Sequence, residues 1–587
     1  MMLPTLFAVT APTELRLWLT PLWLLGVGAL LGLVGLLLTW GLSFLLSRIP
    51  GWNRLVEHPR RREIVIGLAV LWFALLFGGL VAPQIATWQA AGTNTLAENL
   101  FLSSVLLLPT AWLLALACIW FSSPRTVSEV PQAIGEGALW PIFLVTCMFA
   151  VIALVGLFAV EKPRALIESL ARTPYVGTRV YRATLPPTSE LGAAADPEQH
   201  AVPVLFQKNE LRRLEFQSTE ALTADVKVSE KLDVNPPFEV PANETYRWER
   251  TASGDNPFEE DTVRQIYVRN YGSNPAELKL TVVTQPAFPE VWAVWITAGS
   301  VMGVFLLYVL QRTVMPGLSA ISLATLKSEL AQPLFLILMA VGIFALLLFI
   351  IIPYNTFGED DKVLKDSGMT LIMVLCIIQA IWAASTSISD EIEGRTALTV
   401  LSKPIGRRAF ILGKYLGILW TVMVMFVILG TVFIGTVSWK PIWDSHEGSG
   451  TEPTWQLCAE GMLSVIPGLV LAFMETAVLA AVSVAISTRL SMLANFIISF
   501  SIYVLGNLTP LLVQSAVFNQ LFEPVVFMAK LIAVILPVLD HFNIQAAIAA
   551  GKSVPYDYLG WAFVYCLIYG VIALMLALVL FEDRDLA

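Results

Sequence analysis

Long apolar runs separated by short polar segments dominate the chain and predict a helical membrane protein. A helix needs roughly 20 apolar residues to cross about 30 Å of hydrocarbon. By that measure about eleven runs predict transmembrane helices, at residues 20–46, 64–83, 100–121, 138–160, 291–310, 333–353, 370–388, 410–436, 460–486, 492–514 and 559–581. The first run is too long for the apolar region of a cleaved signal peptide, so we expect it to remain as a helix.

A further apolar stretch, from Pro524 to Pro537, is shorter than a span and carries Lys530 in its middle. A charge at that depth is costly in lipid. The stretch therefore predicts a re-entrant or interfacial element.

The stretch 161–290 is rich in charged residues, Pro, Thr and Asn, and predicts a separate β-rich domain. In AELKLTVV, Leu278, Leu280 and Val282 alternate with polar residues, which is typical of a half-buried strand. Strands are also expected in AVPVLFQ, RLEFQST, TADVKVS and RQIYVRNY, with GSNP as a turn. The preceding ALIESLARTPYVGTRVY predicts an amphipathic juxtamembrane helix and a linker. Without a catalytic constellation, this domain is expected to serve recognition or spacing.

Composition supports the membrane class, since 56% of the residues are hydrophobic, 14% are charged and the mean hydropathy is +0.72. We therefore expect an all-α polytopic membrane protein with an inserted extracytoplasmic, sandwich-like β-rich domain. Its expected parts are a four-helix membrane region (1–160), the β-rich domain (161–290), a connecting transmembrane helix (291–314) and a six-helix core (315–587).

The basic residues predict the orientation, because Lys and Arg are concentrated on cytoplasmic loops. One basic loop contains Arg48, Arg54 and Arg60 to Arg62, and another occupies residues 389–409. Six predicted spans, an even number, separate these loops, so both loops lie on the same side of the membrane. The N-terminus and residues 161–290 are then outside and the C-terminus is cytoplasmic, in a cell membrane expected to be the bacterial inner membrane.

Sequence motifs indicate no catalytic, metal or cofactor site on this chain. The five cysteines lie in or beside apolar runs without CxxC spacing, which favours structural roles. The Gly551-Lys552-Ser553 triplet lacks the earlier glycine of a phosphate-binding loop, since Ala546 occupies that position. No nucleotide-binding domain and no nucleic-acid partner are expected.

The loop between the spans 370–388 and 410–436 carries the densest charge beside the membrane. Asp390, Glu391 and Glu393 fall in the first turn of a predicted short helix, where negative charge complements the helix dipole. Lys403 lies near its end and Pro404 stops it. We expect Glu391, Glu393 and Arg395 to project outward while the apolar side rests on the membrane core. An ordinary solvated loop helix explains the same pattern on physical grounds alone.

The order of residues in this loop resembles the first cytoplasmic loop of ATP-binding-cassette type-2 permeases. The loop residues expected to contact a partner are Asp390, Glu391, Glu393, Gly394, Arg395, Thr396, Lys403, Pro404, Arg407, Arg408 and Lys414. The resemblance itself is carried by Glu391, Glu393, Gly394, Arg395, Thr396, Lys403, Pro404, Ile405, Arg407, Arg408, Gly413 and Lys414. It extends over 315–587, with an interfacial entry helix, six spans and re-entrant material before the last span. The resemblance implies that the loop is a coupling helix docking on a separate ATPase subunit, which would bind the ATP and Mg, and that two permease copies, identical or different, form one pathway.

The resulting expectation is a permease subunit of an ATP-driven exporter. A second hypothesis is a membrane-anchored envelope assembly or sensor protein that binds through its outer domain. A secondary transporter is disfavoured because intramembrane ionisable residues are few.

Glu475 lies in the middle of a predicted span, in LVLAFMETAVLAAV. A charge there costs at least roughly 2.5 kcal/mol unless it finds a partner, water or a proton. Two interpretations stay open: a carboxylate that lines a pathway or pairs helices, and a protonated acid held between helices for structure.

Overall fold

The protein is described by a computed structural model that divides into two compact units, one of residues 1–160 with 296–587 and one of residues 161–295. The structure describes residues 13–50, 61–82, 85, 93–121, 123–137, 139–187, 199–225, 238–250, 257–258, 260–272, 274–352, 359–389, 391, 406–446, 453–518 and 523–582.

The first unit is helical. Its helices are α1 (Thr13–Ser47), α2 (Arg61–Leu76), α3 (Thr93–Phe121), α4 (Pro124–Gly135), α5 (Trp140–Gly156), α7 (Trp292–Val314), α8 (Pro316–Leu330), α9 (Pro333–Ile351), α10 (Asp360–Ala384), α11 (Arg407–His446), α12 (Trp455–Ser487), α13 (Met492–Phe518), α14 (Glu523–Ile535), α15 (Gln545–Ala549) and α16 (Tyr556–Glu582). Helix α6 lies in the second unit and is described below. The first four residues of α7, 292–295, also belong to the second unit.

Eight helices among the described residues are long and apolar enough to cross a membrane, which confirms the helical membrane class. They are Thr13–Ser47, Pro289–Val314, Pro333–Ile351, Asp360–Ser389, Arg407–His446, Trp455–Ser487, Met492–Pro510 and Tyr556–Glu582. Three other predicted spans coincide with shorter apolar helices, Glu63–Gly79, Thr110–Phe121 and Trp140–Gly156. A count of eleven crossings stays a prediction.

The stretch predicted to be re-entrant forms α14, followed by a 3-10 turn at Leu539–Phe542 and by α15. The chain bends by 56° between 526–535 and 539–549. Such a bend fits a re-entrant element or a broken span equally well, so the re-entrant assignment also stays a prediction.

Helices α10, α11 and α12 are the most enclosed of the long helices. Leu375, Val424 and Val478 illustrate the apolar core that they share. Contact between α10 and α11 is close because Gly368 leaves room for the ring of Phe433. By contrast α9, α13 and α16 leave most of their apolar surface uncovered within the chain, as expected of helices that face lipid or another subunit.

The second unit begins with α6 (Pro163–Arg172) and contains two four-stranded antiparallel sheets. Their strand orders are β1-β8-β3-β6 and β2-β7-β4-β5. The strands are β1 (Thr178–Leu185), β2 (His200–Gln207), β3 (Leu211–Ser218), β4 (Leu222–Asp225), β5 (Phe238–Val240), β6 (Thr245–Glu249), β7 (Thr262–Asn270) and β8 (Ala276–Thr284). Although β7 and β8 are consecutive around GSNP, they lie in different sheets.

One hydrophobic cluster takes buried side chains from both sheets. In β8, Leu278, Leu280 and Val282 are buried, as the alternation predicts. The linker predicted after the juxtamembrane helix is wrong in part, since residues 178–185 form β1. They pair along their whole length with β8, and this tertiary pairing outweighs the polar composition that suggested a linker.

We predict that residues 161–290 fold alone, because their buried cluster is built within the unit. The fragment should be soluble with strand-type circular dichroism. Phe216 is fully buried and its ring centroid lies 5.2 Å from that of Phe238. Phe216→Ala should therefore lower the free energy of unfolding in urea by about 3–5 kcal/mol. Val180→Ala, at a half-exposed position of β1, should change it little. A mainly helical spectrum would contradict the prediction.

Candidate functional site

The structure describes four of the residues predicted to contact a partner at the charged loop: Glu391, Arg407, Arg408 and Lys414. The predicted short helix and the other predicted contact residues lie outside the described residues, namely Asp390, Glu393, Gly394, Arg395, Thr396, Lys403 and Pro404. What the structure does define is the base of the loop, where the chain leaves α10 and enters α11.

At the start of the loop, α10 changes into a π-helical turn, Ser385–Ser389. Such turns are frequent at functional sites. Its first and last serines are both tied to neighbouring elements. The Asn495 amide donates a hydrogen bond to Ser385 Oγ at 2.7 Å, and Ser389 Oγ donates to the Leu490 carbonyl at 2.7 Å. The loop therefore begins from a turn that α13 and the α12–α13 connection hold in place.

Asn495 also connects α12 with α13. Its Nδ2 donates to Ser483 Oγ at 3.0 Å, and its Oδ1 accepts from Ser499 Oγ at 3.0 Å. Asn495 is fully buried, where an unpaired amide would cost free energy. This buried asparagine was not singled out from the sequence, although an Asn in an apolar run is a detectable signal.

After the loop, Lys414 in the second turn of α11 reaches back to Glu391, near the start of the loop. Its Nζ lies 2.6 Å from Glu391 Oε1 and 5.6 Å from the centre of the Phe410 ring. The carboxylate of Glu391 is thus directed toward its own chain rather than outward. Arg407 and Arg408 are exposed, and Arg407 donates to the carbonyl of Glu582 at the end of α16.

Helix α8 packs closely on this part of α11 through two glycines four residues apart. A Cβ on Gly417 would lie 2.6 Å from Thr325 Cβ, and one on Gly413 would lie 2.8 Å from Ile321 Cβ. Small residues at this spacing allow helix backbones to approach in membranes. The GKYLG segment thus combines a packing surface for α8 with the lysine that reaches the loop.

The end of α8 is also bonded to the π-helical turn that follows α10, through the buried Glu329. Its Oε1 accepts from Gln332 Nε2 at 3.1 Å and from Thr386 Oγ1 at 3.3 Å. Gln332 Oε1 in turn accepts from Trp382 Nε1 at 2.7 Å. Helix α8 therefore contacts α11 and the turn through which α10 enters the loop. Glu329 was missed in the sequence, where it stands as an ordinary charge before Pro333.

Burial raises the pKa of the Glu329 carboxyl from 4.5 to about 7. The hydrogen bond from Thr386 and the charge of Lys414 oppose the rise, whereas the charge of Glu391 adds to it. The carboxyl consequently changes charge near neutral pH, at the junction of α8, α10 and α11.

Glu475 is fully buried in α12. Its Oε1 accepts a hydrogen bond from Asn507 Nδ2 of α13 at 3.0 Å. The sequence identified the acid but not its partner, which lies on the next helix.

No group of three or more His, Cys, Asp or Glu side chains within the described ranges is arranged to hold a metal ion. The Gly551-Lys552-Ser553 triplet follows the short helix α15 in a turn with a positive φ at Gly551, and α16 follows it. A phosphate-binding loop instead connects a strand to a helix.

We predict that Gly417→Ala weakens the packing of α8 on α11, because the added methyl group would collide with Thr325 and with the Ser322 carbonyl. The expected loss is about 1–3 kcal/mol, measured as a lower melting temperature in detergent. The matched control is Gly435→Ala in the same helix, where a Cβ meets no described atom within 4 Å. Equal effects of both substitutions would contradict the proposed close contact.

We predict that Glu329 makes stability depend on pH. Because its folded pKa of about 7 exceeds the ordinary value of 4.5, the folded state binds this proton more tightly than the unfolded chain. That stabilisation is complete below about pH 4.5 and is lost as the pH rises through about 7. Between about pH 5 and pH 8, the melting temperature of Glu329→Gln should therefore fall less than that of the parent. Glu359→Gln, at an exposed acid, should follow the parent.

In a comparison with known families, the family model for the ABC-2 family transporter protein matches residues 212–586. Neither curated proteins nor solved structures give a match. The match begins earlier than the 315–587 resemblance seen in the sequence, and it includes most of the β-rich unit and α7. It covers more than half of the chain, from β3 to the end of α16. The chain therefore belongs to the ABC-2 transporter protein family.

Proposed function

We propose that this protein is the membrane-spanning permease subunit of an ATP-driven transporter, an exporter coupled through residues 389–409 to a separate ATPase subunit. The family match carries the proposal. The bonded base of the loop supports it, because force applied to the loop would reach several helices at once. ATP and Mg would be bound by the partner, with no cofactor on this chain.

The coupling step depends on how the two ends of the loop are joined. The ion pair between Glu391 and Lys414 links them directly. Helix α8 joins them again, since it packs on Gly413 and Gly417 of α11 and bonds to Thr386 after α10. A docked ATPase that moves the loop would therefore shift α8, α10 and α11 as one body, which is a common form of conformational transmission.

A second permease copy, identical or different, completes the proposed pathway. Helices α9, α13 and α16 have large uncovered apolar faces, whereas α10, α11 and α12 are enclosed. In a membrane the uncovered faces are covered by lipid or by another subunit. Pairing of two copies through part of this surface would place a pathway between them.

The proposed orientation follows from the two basic loops, at Arg48 to Arg62 and at 389–409, which are both assigned to the cytoplasm. With eleven crossings the N-terminus is outside and the C-terminus is cytoplasmic. The β-rich unit is then a sandwich-like extracytoplasmic domain, and the membrane is proposed to be the bacterial inner membrane.

Reversing the charges of Glu393 and Arg395, which the sequence predicts to project outward, should separate ATPase docking from membrane insertion. Glu391 is unsuitable for this test because a lysine there would face Lys414. We therefore predict that Glu393→Lys combined with Arg395→Glu leaves insertion intact and reduces co-purification of the ATPase and its transport-linked hydrolysis, since charge reversal at a complementary interface costs attraction and specificity.

The matched control is the reversal of an exposed charge far along the chain, Lys552→Glu. It should keep both ATPase association and hydrolysis. If the loop variant binds and stimulates its ATPase as the parent does, the loop is not the coupling site. If native membranes give an envelope complex without any ATPase, the assembly or sensor hypothesis replaces the permease.

A further inference from the structure

The contact between Glu475 and Asn507 is a polar pair between two membrane helices, α12 and α13. Asn507 Nδ2 has two hydrogens and uses both, one to Glu475 Oε1 at 3.0 Å and one to its own helix, at the Tyr503 carbonyl at 3.2 Å. The donors of the pair are thereby fully used.

Two acceptor atoms of the pair, in contrast, are left without a hydrogen bond. Glu475 Oε2 and Asn507 Oδ1 are both buried, and neither has a hydrogen-bond partner among the described residues. An ionised carboxylate has no hydrogen to give, so one acceptor on each of these two bonded side chains would be left unpaired. A buried acceptor without a partner costs free energy.

A proton on Glu475 Oε2 would give both of these unpaired atoms a hydrogen-bond partner. The acid O–H then becomes a donor, and the remaining acceptor of the pair is Asn507 Oδ1. The carboxyl and amide groups are both planar forks with two polar atoms. Two antiparallel hydrogen bonds can therefore close a ring, with N–H donating to Glu475 Oε1 and O–H donating to Asn507 Oδ1.

The surroundings of the acid favour the neutral form. Among the described residues, no Lys, Arg or His forms an ion pair with Glu475. The groups that interact with it electrostatically are Tyr503 on α13 and Asp540 in the Leu539–Phe542 turn. A buried carboxylate without a cationic partner is strongly disfavoured, and the charge of Asp540 would repel it further.

The same turn contacts α13 directly beside the pair. A Cβ on Gly506 would lie 2.8 Å from the Pro537 carbonyl oxygen and 2.9 Å from Leu539. The close approach at Gly506 holds the segment that carries Asp540 against the helix that carries Asn507.

From these contacts we propose that Glu475 and Asn507 form an intramembrane proton-binding site, in which Glu475 holds the proton on Oε2 and donates it to Asn507 Oδ1. The proton is the ligand that completes the contact between α12 and α13. Its loss would leave two facing acceptors and a second negative charge near Asp540. Proton release and separation of α13 from α12 would then accompany each other.

Infrared spectroscopy of the full-length protein at neutral pH tests the chemical state. The carbonyl stretch of a protonated carboxylic acid should be present in the parent and lost in Glu475→Gln. Asn507→Leu should shift that band, because the hydrogen-bond partner is removed while the acid remains. Glu460→Gln, at an exposed acid of the same helix, is the control and should leave the band unchanged. A spectrum of folded Glu475→Gln that matches the parent would overturn the proposal.

Thermal stability provides a second test. In Glu475→Gln the new N–H donates to Asn507 Oδ1 and the new carbonyl accepts from Nδ2, so the melting temperature should stay within about 2 °C of the parent. Glu475→Leu removes both bonds and should melt at least about 2 °C lower than the parent. If Glu475→Gln fails to fold or falls as far as Glu475→Leu, the site requires a charged carboxylate and the proposal is wrong.

Discussion

The hydrocarbon core of a membrane offers no hydrogen-bond partner, and this constraint governs both the helices and the few polar side chains of the protein. Backbone groups are satisfied within the long helices. Each polar side chain placed among them must find a partner, on its own helix or on another, or carry a proton. Asn495 does the first, since it bonds to Ser385, Ser483 and Ser499 on three elements. Polar residues that bond between elements therefore mark places where helices are held in one arrangement.

Several of those places lie at the base of the charged loop. Between α8, α10, α11 and α13, the contacts combine close glycine packing with buried polar bonds, and the two differ physically. Packing at Gly413 and Gly417 holds α8 and α11 together at any pH, whereas the Glu329 cluster depends on the charge of one carboxyl. A joint of this kind can transmit motion between helices and also respond to its surroundings.

Deeper in the bundle, the pair of Glu475 and Asn507 follows the same constraint with a different solution. No cation is available there among the described residues, so the hydrogen-bonding pattern closes only with a proton. Among the described residues, the contact around Asn495 is made by amides and hydroxyls alone, whereas the contact at Glu475 is completed by a proton. The distinction rests on donor and acceptor counts rather than on hydrophobicity.

The sequence by itself determined the membrane class, the family and most helix positions, because span length and hydropathy are local properties that a bilayer enforces. It also marked Glu475 and the alternation of β8. It did not reveal β1, the separation of β7 and β8 into different sheets, or the partners Glu329, Asn495 and Asn507. These depend on which faces meet across distant parts of the chain: Glu391 reaches Lys414, and Ser385 reaches Asn495. Pairing across such separations is decided by tertiary packing, since the local pattern states that a residue is polar but not which residue satisfies it.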